Sequence, residues 1–222
     1  MPLFRRRDVA FLALLFVFSF IPAVVGLLRL PELLGGPSFV PPNPRAVVEP
    51  VPIILHILGS SIFCLAGALQ FLPGLRHARP GLHRGLGRIV ALAGLASALS
   101  GLWMTLAYPF PQALQGPLLL AARSGVSLAM AGLILHAVIA IRGRKVDAHR
   151  AAMIRAYAIA QGASTQTALL IASILATGIE PSGFPRDLVM VAAWIINLAI
   201  AEALIHRTRR PRGPAALAAG AG

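Results

Sequence analysis

Six apolar stretches dominate the chain, at about 9–30, 51–72, 86–108, 117–141, 151–178 and 187–205, most of them bounded by prolines or basic residues. At 1.5 Å per residue, a helix of about 20 residues crosses the roughly 30 Å hydrocarbon core of a bilayer. In lipid the backbone must satisfy its own N–H and C=O groups, and a helix does so within one segment. The pattern therefore predicts an all-α, polytopic membrane protein with six transmembrane helices. Residues 1–207 read as one transmembrane domain, and residues 208–222, basic and then Ala/Gly-rich, as a disordered cytoplasmic tail.

The first stretch comes after Arg5, Arg6 and Arg7, as a signal peptide would. It is longer than the usual apolar region of about 7–15 residues, and Arg29 and Pro31 succeed it in place of a small-residue cleavage site. It reads as a retained span, kinked at Pro22.

Composition narrows the function classes. Charged residues make up 12% of the 222 and hydrophobic residues 57%, where a soluble domain carries about 25% charged. A soluble enzyme, a coiled coil and a secreted disulfide scaffold are excluded. The net charge of +13 would suit a nucleic-acid binder, but the mean hydropathy of +0.79 would not, so no nucleic-acid partner is expected. Cys64 is the single cysteine, which excludes an intrachain disulfide, covalent haem and a Cys-rich metal cluster. It reads as an inert core residue.

The cations are asymmetric. With the N-terminus inside, 16 of the 20 Lys and Arg fall on one side, and Arg29, Arg45, Arg123 and Arg186 on the other. The positive-inside rule then places the protein in a bacterial cytoplasmic (inner) membrane with both termini cytoplasmic, its basic face against anionic lipid head groups.

Small and polar residues mark the faces where membrane helices meet. Span two carries His56, Ser60, Phe63, Gly67 and Gln70 on one face. Span three carries Gly87, Ala91, Gly94, Ala98 and Gly101, and span four carries Ala121, Gly125, Ala129, Gly132 and His136. Span five is the most polar, with Arg155, Tyr157, Gln161, Ser164, Thr165, Gln166 and Thr167, and span six adds Trp194, Asn197 and Glu202. Span one is almost purely apolar. The expected core is a four-helix bundle of spans two to five, with one and six outside.

Spans three and five begin alike, one with Leu82-His83-Arg84 and Gly87-Arg88, the other with His149-Arg150, Met153-Ile154-Arg155 and Tyr157-Ala158. Together with Leu55-His56-Ile57 and Gly67-Ala68-Leu69-Gln70-Phe71, this ordered set resembles a bacterial family of predicted multi-pass membrane proteins known only as a domain of unknown function. The resemblance covers about residues 50–176 and implies a membrane fold with no established activity.

His56, His83, His136 and His149, one on each of four consecutive spans, also resemble the ligands of cytochrome b561-like haem bundles. That likeness implies haem b, with Arg84, Arg88, Arg150 and Arg155 near its propionates and His83 and His149 as iron ligands. Depth argues against two haems. His56 lies about 9 Å from the outer end of span two, whereas His136 lies near the inner end of span four. One inner haem survives, held by His83 and His149 or with His136 as a substitute.

Three functional readings stay open. One is a b-type haem or quinone-linked electron-transfer protein with a membrane redox partner. The second is a small-molecule-binding or transport bundle. Its polar cavity lies between spans two and five, lined by Gln70, Tyr157, Gln161, Thr165, Gln166 and Asn197. Its cytoplasmic mouth is ringed by His83, Arg84, Arg88, His149, Arg150 and Arg155. The third is an accessory subunit of a larger membrane complex. No conventional catalytic motif is present, so no enzyme is indicated.

Overall fold

The computed structural model describes residues 6–209. Arg5 and residues 210–222 of the expected tail, Arg210 and Arg212 among them, lie outside the described residues. Within them the chain forms α1 (Arg6–Leu33), α2 (Pro44–Val48), α3 (Pro50–Leu69), α4 (Pro73–Ala78), α5 (Pro80–Ala107), α6 (Pro117–Arg142), α7 (Val146–Ala160), α8 (Gly162–Thr177) and α9 (Gly183–Arg209). Six segments are long and apolar enough to cross a membrane, namely α1, α3, α5, α6, α7 with α8, and α9. The protein is an all-α polytopic membrane protein.

Proline sets the starts. Helices α2 to α6 each begin on one, at Pro44, Pro50, Pro73, Pro80 and Pro117. A first-turn proline forfeits no hydrogen bond, because that N–H has no partner inside the helix. The α8 end is set by Gly178, left-handed at φ +76, whose N–H closes on the Ile174 carbonyl at 2.8 Å. Pro22 lies inside α1, and the helix continues past it.

Successive spans run antiparallel. One end of the bundle, the arginine-rich end, gathers the starts of α1, α5 and α7 with most of the arginines. The other holds Arg29, Arg45, Arg123 and Arg186. The buried core cluster comes from α3, α5, α6 and α7, with Phe63, Val90, Ile134 and Ala156 at its centre. Small residues let these helices touch. A side chain on Gly59 would meet the Ala93 carbonyl and Ser97, and one on Gly94 would overlap Phe63 and Ile134. Helix α1 is peripheral, with only Ser19 and Leu33 buried.

One expected face is corrected. In span four Ala121, Gly125, Ala129, Gly132 and His136 are exposed, and a side chain on Gly125 or Gly132 would meet nothing. The packed face is Met130, Ile134, Ala137 and Ala140. Alanine serves there as well as glycine, so a second small-residue stripe was free to face outward.

Candidate functional site

The fifth span is broken at mid-membrane. Helix α7 stops at Ala160 and α8 starts at Gly162, with Gln161 between them at φ −70, ψ −1. The Gln161 N–H still reaches the Tyr157 carbonyl at 3.0 Å, and the Thr165 N–H reaches the Gln161 carbonyl at 3.2 Å. The carbonyls between are met from outside. Asn197 Nδ2 donates to Ala158 O at 3.1 Å, Trp194 Nε1 to Ile159 O at 3.2 Å, and Cys64 Sγ lies 3.9 Å from Ala160 O. An unmet carbonyl in hydrocarbon costs several kcal/mol, so these donors are what permit the break.

The break is also tied sideways. Gln161 Nε2 donates to Ser19 Oγ at 2.8 Å, Ser164 Oγ to Gln161 Oε1 at 3.2 Å, and Thr165 Oγ1 to Asn197 Oδ1 at 2.8 Å. Gly162 is required at its position, because a side chain there would overlap the Trp194 indole. The polar residues of spans five and six are thus mostly partners of one another.

Beyond the break, α8 packs mainly on α9 and α1. A cavity of about 630 Å³ is left between α1, α3, α5, α6 and α8. Ligand pockets commonly span about 300–1,000 Å³. Met130, Ile159 and Trp194 line its deep end, and Ser60, Ser127 and Thr167 its flanks. Arg29, Phe110 and Arg123 line the end remote from the arginine-rich face.

Two charged or titratable side chains meet this cavity in distinctive ways. Arg123 Nη1 donates to Gln115 Oε1 at 2.6 Å, and its guanidinium lies 5.2 Å from the Phe110 ring centre. Among the described residues it has no ion pair, whereas Arg29 pairs with Glu32 at 3.1 Å and Arg186 with Glu180. The neighbouring Asp187 is already engaged. Its carboxylate accepts the Gly116 and Leu119 N–H groups at 3.0 and 3.1 Å, capping α6. His56 Nδ1 lies 2.8 Å from Ser97 O, so that nitrogen carries the proton and Nε2 is left as an acceptor.

Spans two and five do border this cavity, through α3 and α8, but most of the expected lining lies elsewhere. Tyr157 packs in the closed half of the bundle, its hydroxyl donating to Cys64 O at 2.8 Å and its ring 5.0 Å from Phe71 and 6.0 Å from Phe63. Of the residues expected to line a cavity, Gln166 borders the one present, and its Nε2 donates to Met190 O at 3.1 Å. Gln161, Thr165 and Asn197 belong to the break. Gln70 lies beside Gly87, with its buried Nε2 unpartnered among the described residues.

None of the residues expected to ring a mouth lines this cavity. Arg84, Arg88 and Arg150 are exposed. Arg155 makes a two-pronged pair with Glu202, at 2.5 and 2.8 Å, tying α7 to α9. His83 and His149 are electrostatic neighbours at the arginine-rich end, and His149 Nδ1 lies 3.0 Å from Ala137 O. His136 is exposed, and His56 lies toward the opposite end, in the cavity wall. Among the described residues no three His, Cys, Asp or Glu side chains converge as metal ligands.

Sequence reasoning missed Ser19, the capping role of Asp187 and the cavity position of Arg123. For Arg123 a signal existed, since it lies inside a long apolar span with no basic neighbour. For Ser19 and Asp187 the partners lie 142 and 71 residues away, and no local pattern marks them.

The fold and site define a six-span helical membrane protein with a cavity beside a broken helix. The chain belongs to the family described as "Predicted membrane protein (DUF2306)", whose model matches residues 53–205. No curated protein and no solved structure matches it, and the likeness to cytochrome b561-like bundles finds no support.

Proposed function

We propose that the protein binds a small amphipathic molecule within the membrane, in the cavity beside the break in its fifth span. The observation that carries this reading is the break itself. Irregular backbone at membrane depth is tolerated where it is enclosed by protein or lines a cavity, and here a ligand-sized cavity adjoins it. The wall is mostly apolar with a few hydroxyls, the chemistry of a pocket that orients an amphiphile.

Binding is favoured over transport. Passage would require the arginine-rich half to open, and Phe63, Phe71 and Tyr157 fill it. Electron transfer through haem or a quinone has less to rest on. Axial ligation needs two imidazoles facing one gap, and of the four histidines only His83 and His149 are neighbours, at the end away from the cavity. The cation asymmetry supports an orientation with the arginine-rich end and both termini in a bacterial cytoplasm, against anionic lipid head groups. The cavity then opens toward the outer side. The basic segment after α9 fits a cytoplasmic tail.

The test is native mass spectrometry of the full chain extracted in mild detergent. The protein is expected to retain a small molecule, and Ser127→Phe, which projects into the cavity, to release it. A filled variant that keeps the same adduct at the same occupancy would sink the reading.

A further inference from the structure

The cavity holds a cation that makes no ion pair among the described residues. Arg123 lies six residues into α6, about 9 Å along the helix. An arginine at such depth is costly and is normally paired. Each obvious partner is engaged elsewhere. Glu32 holds Arg29 and Glu180 holds Arg186, while Asp187, near enough to act on Arg123 electrostatically, has both oxygens bonded to backbone N–H groups at the α6 start. Glu49 accepts from Trp103 Nε1 at 3.0 Å. Gln115 meets one of the five guanidinium donors, and Phe110 supports the charge from its ring face. The guanidinium carbon of Arg45 sits 4.7 Å from the same ring, which adds positive potential and removes none.

The rest of the cavity complements that charge. His56, with Nε2 free as an acceptor, lines the same cavity and lies within electrostatic reach of Arg123. Ser127 lies one helical turn beyond Arg123 on the same wall, offering a hydroxyl. Further along α6 the lining turns apolar at Val126 and Met130, ending at Trp194 below the break. From Arg123 to Met130 is about 10 Å of helix. A polar, cationic end and an apolar end are thus set one chain length apart.

We propose that the ligand is an anionic amphiphile, a carboxylate or phosphate head on an apolar chain, whose head pairs with Arg123 while its chain lies toward Trp194. This rests on the reading of the cavity as a binding site and adds the head-group chemistry to it. A guanidinium binds both anions through paired N–H donors, and such charge-assisted bonds strengthen where water is scarce.

Trp194 provides the readout. In a Trp103→His background, which keeps a ring N–H to offer Glu49, it is the sole tryptophan. The full chain in detergent is titrated with stearate brominated at mid-chain, with the methyl ester of the same acid, and with inorganic phosphate as competitor. The acid is expected to quench Trp194 at about tenfold lower concentration than the ester. Arg123→Gln should bring the two together, and Arg123→Lys should keep most of the difference. If acid and ester quench alike in the wild type, the head-group assignment falls and the cavity reading stands. If neither quenches, both fall. If inorganic phosphate alone displaces the acid at equal concentration, the site takes a free anion and the amphiphile assignment is overturned. The wild-type comparison decides the matter even if Arg123→Gln does not fold.

Discussion

The two halves of the fifth span share one membrane and one neighbour, α9, yet do opposite things. In α7, Ala151, Ala152 and Ala156 are at most 4% exposed, so α6 and α7 lie nearly in backbone contact, and Tyr157 plugs what space remains. In α8 the buried residues are Gly162, Ser164 and Thr165, all in its first turn. Past them α8 leans on α9 and α1, and Ile171 and Leu175 are exposed. Alanine with one large aromatic closes a bundle. Small polar residues used up at a break leave nothing to fill the space beyond it. The difference lies in the residues on either side of Gln161 and runs against hydropathy, since the loosely packed α8 is the more apolar half.

The harshest way to break this contrast is at Gly162. Gly162→Leu places atoms on the Trp194 indole and must push α8 from α9, which loosens the break and the cavity wall together. Overpacking of this kind costs about 3 kcal/mol. Thermal unfolding in detergent should show a large drop in Tm. Gly125→Leu, on the exposed face of α6 where a side chain meets nothing, is the control and should leave Tm unchanged. Equal losses at both sites would mean that Gly162 is not a point of close approach.

A milder change separates the break from general packing. Asn197→Leu keeps the volume but strips Ala158 O of its donor and Thr165 Oγ1 of its acceptor. The expected loss is about 1–2 kcal/mol, smaller than at Gly162. Cys64 reports locally, because it lines the cavity and sits against Ala160 O. Its modification by a small maleimide should speed up in Asn197→Leu. The same variant with unchanged labelling would detach Asn197 from the break.

These residues also show what the sequence could and could not reveal. The six spans were legible because their length and hydropathy answer to the bilayer alone. The core faces of spans two and three were legible because membrane helices need small residues to approach, whereas the small-residue stripe of span four faces outward. Polarity in spans five and six was visible too, but polar residues at membrane depth have two uses, lining a cavity and satisfying each other. Only the three-dimensional register separates them. Gln161, Thr165 and Asn197 face one another across α8 and α9, and the alternation of small and polar residues along one span does not say which neighbour it meets. The same ambiguity hid Arg123, whose meaning depends on Glu32 and Glu180 pairing with other arginines.

The smallest effect tests the arginine-rich half. Arg155 looked like a fixed charge for a ligand, and Glu202 on α9 answers it with both oxygens. The two side chains are 32% and 39% exposed, so solvent and salt screen them, and such a pair contributes about 0.5–1 kcal/mol. Arg155→Gln and Glu202→Gln should each lower Tm slightly, and the double variant should lose little more than either alone. The coupling should shrink as salt rises from low to near-molar concentration. Because α7 is already held by its alanines and Tyr157, neither variant should change Cys64 labelling or Trp194 quenching. If Arg155→Gln instead abolished ligand binding while Glu202→Gln preserved it, the working charge would lie at the arginine-rich end, and the closed and open halves of the fifth span would exchange roles.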